Sequence, residues 1–130
     1  MKAYAYFLTH YGYPSLFYSD YENNNFQGEL KKLISIHNSL ATGDVEVLFN
    51  DNDEYVMKRV GRAGNGANPG LILYINISGN TKRREVITNW AGKKLMDYSG
   101  KTSYSPMVST DGRVSIEAPA NSYSIWSIME

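Results

Sequence analysis

The sequence predicts a mainly β protein, an antiparallel Greek-key sandwich or barrel of about eight short strands preceded by a helix, a strand and a second helix. Three observations carry this. The longest mostly apolar run, residues 71–77, alternates Leu71, Leu73, Ile75 and Ile77 against Ile72, Tyr74 and Asn76, which is the period of a pleated strand. Beyond Gly43 helical spacing does not return, and short alternating segments are separated by turn residues. Before Gly43, Leu30, Leu33, Ile34, His37 and Leu40 recur at intervals of three and four, with Lys31 and Lys32 on the open side.

In chain order, residues 1–10 combine good helix formers with apolar residues around most of the circumference. They predict a short helix covered by something else, because two turns are marginal without packing. Gly12 and Pro14 end it, residues 15–18 form a short strand, and residues 19–27 a polar loop. A helix follows over 28–42, stopped by Gly43. The grammar change at Gly43-Asp44 predicts two domains, 1–43 and 44–130. Strands are expected at 45–49, 55–60, 71–77, 85–89, 94–97, 104–109, 113–118 and 123–128. The run 71–77 is the central one, with one face committed to a core and the other half-committed. In the last strand Trp126 is placed in the core or a domain interface, where large aromatics of terminal strands pack.

Thirteen basic and thirteen acidic side chains cancel, leaving no electrostatic footprint for nucleic acid or an anionic membrane. The absence of cysteine removes a disulfide framework, a thiolate metal site and a Cys nucleophile together. No signal peptide or membrane-spanning segment is recognisable. The distinctive feature is aromatic content, with eleven Tyr, four Phe and two Trp.

Catalytic and metal motifs fail on inspection. Gly100-Lys101-Thr102 resembles the end of a phosphate-binding loop, but the required first glycine is Leu95. Asp51-Asn52-Asp53-Glu54 resembles the opening of a calcium loop, but Val56 replaces its glycine and no Glu closes it. The glycines at 61, 64, 66 and 70 predict a hairpin tip, since no helix follows to receive a phosphate. His10 and His37 are the only imidazoles and lack the pairing of a zinc site or a triad. The sequon Asn76-Ile77-Ser78 falls inside the central strand. Asp20 and Glu22 beside Tyr18 are the carboxylates best placed to be a glycosidase acid and base. Two positions apart on one loop is a poor way to hold the ~5–9.5 Å separation that the chemistry needs, so a loop-anchoring role is preferred.

A family resemblance rests on both ends of the chain. Ala3-Tyr4-Ala5-Tyr6-Phe7-Leu8-Thr9, followed by Gly12-Tyr13-Pro14-Ser15-Leu16-Phe17-Tyr18-Ser19-Asp20 as Gly-x-Pro-x-x-x-Tyr-x-Asp, resembles the end of the catalytic barrel of α-amylase family glycoside hydrolases. The segment 29–37 is similar to that family's final barrel helix, and 114–126 resembles the closing hairpin of its C-terminal Greek-key domain. The resemblance implies that 1–43 is a helix-strand-helix remnant of a (β/α)₈ barrel, a fold of roughly 250 residues, and that Tyr18, Asp20 and Glu22 lie at the barrel rim. It also implies that the catalytic carboxylates sit on earlier barrel strands, upstream of this sequence. The expectation is therefore a C-terminal piece of an enzyme that hydrolyses starch and malto-oligosaccharides, not catalytic alone, from a secreted parent in which calcium is possible. No cofactor is expected in this chain.

Two further function classes stand beside it. An α-glucan-binding module would use exposed aromatics, with Trp90, Tyr98 and Tyr104 the candidates because they border the loops at 91–92 and 99–103. A purely structural domain would use all aromatics for packing. Expected partners are malto-oligosaccharide or starch, the missing catalytic barrel, or a second copy joined through residues 1–40, whose barrel strand would otherwise expose unpaired backbone.

Overall fold

A computed structural model describes residue 5, residues 24–63 and residues 68–129. Within them one helix, α1 (Asn24–Leu40), precedes seven strands: β1 (Val45–Asn50), β2 (Glu54–Arg59), β3 (Leu71–Asn76), β4 (Lys82–Ile87), β5 (Leu95–Asp97), β6 (Arg113–Ala118) and β7 (Ser122–Ile128). The strand expected at 15–18 and the rim residues Tyr18, Asp20 and Glu22 lie outside the described residues, as does the helix at 1–10 apart from Ala5.

The strands form two antiparallel sheets, one of five strands in the order β1-β2-β3-β7-β5 and one pairing β4 with β6. The chain leaves the large sheet after β3, returns for β5, leaves for β6 and returns as β7 between β3 and β5. This is the Greek-key crossing that the spacing of short strands predicts.

The central strand is β3, and both of its faces are buried. Leu71 and Leu73 join Met57, Tyr123 and Ile125 in a cluster closed by Leu33 and Ile36 of α1 and by Ala5. Ile72 and Tyr74 join Val56 and Trp126 in a second cluster, closed by Val86, Val114, Ile116 and Ala118 of the small sheet. The large sheet is thus the middle of three layers, which is why its central strand reads as a nearly continuous apolar run. Ile77, expected to continue that strand, lies beyond its end and is exposed.

α1 starts four residues earlier than the periodicity suggests, and Gly28 is tolerated inside it at an exposed position with open space around its Cα. Its most buried side chains are Leu33 and Ile36, while His37 is half-buried at the edge of the stripe. The junction at 42–44 is tied down. Gly61 N–H donates to Thr42 O (2.9 Å), Val60 N–H to Asp44 O (3.0 Å) and Arg59 Nε to Gly43 O (2.9 Å). Gly43 sits at φ +80°, and a Cβ there would lie 2.2 Å from Gly61 O, so the position admits only glycine.

Two strand expectations need correction. Residues 104–109 are not a strand. Pro106 has no N–H to give a ladder, and the segment keeps an isolated bridge, Met107 to Lys94, with Leu95 N–H on Pro106 O and Val108 N–H on Lys93 O. β4 occupies 82–87 instead of 85–89. The charged run Lys82-Arg83-Arg84 hides it because Arg84 points between the sheets, where its guanidinium is matched by Glu54.

Candidate functional site

The antiparallel register of β4 and β6 sets Arg83 opposite Glu117, Glu85 opposite Ser115 and Ile87 opposite Arg113. These side chains share the face of the small sheet turned away from the core, since Arg84, Val86, Val114 and Ile116 alternate with them inward. Opposite charges meet across the strands: Arg83 Nε lies 3.0 Å from Glu117 Oε1, and Arg113 Nη1 lies 3.1 Å from Glu85 Oε1 on the diagonal. Two open grooves flank this second pair. One, about 590 Å³, runs between β6 and the segment 104–111 past Tyr104, Met107 and Asp111. The other, about 320 Å³, runs toward β1 past Phe49 and Ile87. Glu85 and Arg113 line both.

Tyr104 anchors the first groove. Its ring meets the core residue Trp126 edge-on, with centroids 6.1 Å apart and planes at 78°, and the Arg83 guanidinium lies 4.2 Å from its centroid. Asp111 shapes the groove's end, accepting from the Ser109 hydroxyl and from Arg113 N–H, and these donors hold its carboxyl below the usual range. Glu117 is likewise shifted down, chiefly by the Thr102 hydroxyl at 2.8 Å and then by Arg83.

Behind this face Glu54 of β2 receives Arg84 in a forked contact (Nη2 to Oε2 3.0 Å, Nε to Oε1 3.3 Å) and the Tyr74 hydroxyl. The Arg84 guanidinium also lies 3.5 Å from the Phe49 ring centroid. Arg84 depresses the Glu54 pKa, while burial, followed by the hydrogen bond to Glu54, raises that of Tyr74 and keeps the phenol a donor. This cluster fastens one sheet to the other. Asp51, the head of the weighed calcium loop, instead caps the β1–β2 turn through the N–H groups of Asp53 and Glu54, and these lower its pKa. Among the described residues no group of three His, Asp or Glu side chains is placed to hold a metal, and no helix is long and apolar enough to cross a membrane.

The three aromatics chosen from the sequence are not brought together. Trp90 is 5% exposed and part of the core between the sheets, with its indole N–H on Pro69 O at 3.2 Å. Thr88 turns it inward: the Thr88 hydroxyl donates to Gly112 O (3.1 Å) and accepts from Trp90 N–H (3.1 Å). The expectation of an exposed indole there is corrected. Tyr98 lies on the α1 side, its hydroxyl donating to Ile128 O at 2.7 Å, beside a cavity of about 420 Å³ that it shares with Ile36 and Leu40. Of the three, Tyr104 alone lines a groove of the small sheet, the one between β6 and the segment 104–111. Sequence reasoning does not find Glu85, Met107, Asp111 and Arg113; pairing the alternations at 82–87 and 113–118 would match the charges of Glu85 and Arg113 alone.

Comparison with known proteins follows the same architecture. Residues 71–127 match the family model described as Alpha-amylase C-terminal. The chain is similar in structure to the alpha-amylase of Geobacillus thermoleovorans solved with acarbose (TM-score 0.70, 16% identity, 97% of this chain and 32% of that one). It is also similar to the gamma-CGTase of alkalophilic Bacillus clarkii (TM-score 0.66, 18% identity, 97% and 22%) and to an Anoxybacillus alpha-amylase (TM-score 0.63, 19% identity, 82% and 23%). At these identities the shared property is the fold, and the chain spans no more than about a third of each structure's length.

Proposed function

We propose, on the footing that residues 71–127 match the family model described as Alpha-amylase C-terminal, that this chain is the C-terminal portion of an α-amylase-type glycoside hydrolase and is not itself catalytic. The parent activity is hydrolysis of α-1,4-glucosidic bonds in starch and malto-oligosaccharides. The β layers act as a stabilising domain, and α1, packed on the large sheet through Leu33 and Ile36, is the element that joins it to the catalytic barrel.

The family match is the observation that carries this reading. Ionisation supports the second half of it. A retaining or inverting glycosidase needs one carboxyl shifted up to serve as general acid. Among the described residues, Asp51, Glu54, Asp111 and Glu117 are shifted down, each by hydrogen-bond donors that favour the charged form. They are fasteners and turn caps.

The test is a reducing-end assay of the purified 130-residue chain on soluble starch and maltoheptaose. No release above the buffer rate is expected. Turnover that follows the chain through a second purification step would overturn the reading and direct mutagenesis to Asp20 and Glu22.

A further inference from the structure

We propose that the Asp111-Gly112 bond is a modification site, at which the chain rearranges to isoaspartate when the clasp that Ser109 closes over it opens, and that the rearrangement unseats Trp90.

Chemistry singles out this bond. An Asp carboxyl is attacked most readily by the next residue's nitrogen where that residue has no side chain to obstruct the approach, and Asp111 is the Asp of this sequence that precedes glycine. Gly112 is fixed by the fold, since its φ is +88° and a Cβ would lie 2.4 Å from Thr88 O. The Asp111 side chain is 62% exposed, so water reaches it. In the rearrangement the Gly112 nitrogen bonds to Asp111 Cγ, and the amide proton and a carboxyl oxygen leave as water, giving a cyclic imide. Water then opens the ring. Addition at Cγ restores Asp, whereas addition at the main-chain carbonyl leaves the chain running through Cβ and Cγ, longer by one methylene. Nothing is oxidised or reduced, and the mass is unchanged.

In the folded chain both reacting groups are held. Gly112 N–H donates to Ser109 O at 3.0 Å. Asp111 Oδ1 accepts from the Ser109 hydroxyl and from Arg113 N–H (3.3 Å), and Arg113 Nε lies 3.2 Å from Oδ2. These donors favour the carboxylate, the form that loses an oxygen least readily. Ser109 therefore restrains the nucleophile through its carbonyl and the electrophile through its hydroxyl. The next carbonyl carries the consequence. Gly112 O accepts from Thr88 N–H (2.7 Å) and from the Thr88 hydroxyl (3.1 Å), which in turn accepts from Trp90 N–H. A methylene inserted just before the Gly112 nitrogen displaces that carbonyl from Thr88 and frees the turn that points the indole into the core.

The 130-residue chain is incubated at neutral pH in H₂¹⁸O, folded and in urea, and each ring opening leaves one ¹⁸O on residue 111. Tryptic mapping reads it on the peptide 102–113, separate from the Asn65-Gly66 bond on 63–82. Uptake is expected in urea and should be about a hundredfold slower in the folded chain, about tenfold for each of the two Ser109 contacts. Ser109→Ala should raise the folded rate about tenfold, and Arg113→Gln, which removes only the exposed Nε contact, by a smaller factor should Ser109→Ala unfold. The purified isoaspartate form should emit at longer wavelength as Trp90 meets water, while Asp111→Ser, which cannot close the ring, should keep its emission through the same incubation. No uptake at 111 in urea, equal rates folded and unfolded, an unchanged rate in both folded variants, or unaltered emission from the isoaspartate form would overturn the proposal.

Discussion

Asp97 provides the sharpest test of how the β layers are held. It ends β5, is 5% exposed, and its carboxylate is the acceptor for one turn and for a neighbouring strand. Oδ1 receives the N–H groups of Ser99 (2.9 Å) and Ile125 (2.9 Å) together with the Ser99 hydroxyl, and Oδ2 receives the N–H groups of Lys101 (2.8 Å) and Thr102 (3.0 Å). Asp97→Ala orphans all of these donors. The N–H groups of Ser99 and Ile125 are buried, and each costs ~1–3 kcal/mol without a partner. Those of Lys101 and Thr102 are part-buried, so water can replace much of what they lose. The sum is ~4 kcal/mol, a large part of the ~5–15 kcal/mol stability of a domain. Asp97→Asn keeps an oxygen for Ser99 and Ile125 but turns an NH₂ toward two N–H groups, for ~2 kcal/mol. Urea unfolding followed by the fluorescence of buried Trp90 and Trp126 reads both. At a slope near 2 kcal/mol/M the midpoint should fall by about 2 M for Ala and about 1 M for Asn. An Asn variant as damaged as Ala would refute the two-sided assignment of the oxygens, and both variants within 0.5 M of the parent would refute the hub altogether.

Other outcomes follow from the same contacts. Because Arg84 holds the Glu54 pKa below its unfolded value, the pair's contribution is complete above about pH 4.3 and is lost as pH falls through the lower folded-state value. Glu54→Gln should therefore cost ~1–2 kcal/mol at pH 7 and flatten the decline in urea midpoint between about pH 5 and about pH 3, roughly the window of an ordinary Glu. Leu33→Ala, at a fully buried position of α1, should lose ~3 kcal/mol, and residues 44–130 alone should bind an apolar dye and aggregate, because Leu71, Leu73 and Ile125 would lose their cover. Gly70→Ala should be strongly destabilising in the same urea assay, since φ is +79° and a Cβ would lie 2.0 Å from Arg59 O, while Gly79→Ala, with open space around it, should be neutral.

The parts of the fold that were legible in the sequence are those governed by local chemistry. Period two located β3 and β6, turn residues located the hairpins, and Gly43 located the end of α1 within a few residues. The failures share a cause. Alternation tells which residues share a face, but not which charged residue a neighbouring sheet will neutralise. Nothing in the sequence marks Arg84 as the partner of Glu54, which β2 places beside it. Trp90 reads as a loop platform until Thr88 and Gly112 turn its backbone inward. In the candidate site Tyr104 was legible as an aromatic beside a loop, whereas Glu85 and Arg113 become partners only through a pairing that joins strands 28 residues apart.

The same layered arrangement explains why, among the described residues, the two faces of the large sheet have different covers. β3 pairs with both β2 and β7 in the ladder, and it sends Leu71 and Leu73 to α1 and Ile72 and Tyr74 to the small sheet. A five-stranded sheet buried on both sides needs two covers. The helical cover carries the chain's connection to its N-terminal part, held by Lys32 Nζ on Ser99 O and by the Lys101–Glu29 ion pair. The other cover is only two strands wide, so each of its inward residues must fill the core while each outward one meets solvent. That leaves a regular outward lattice of Arg83, Glu85, Ile87, Arg113, Ser115 and Glu117, rigid because its inward neighbours Val86, Val114 and Ile116 are buried.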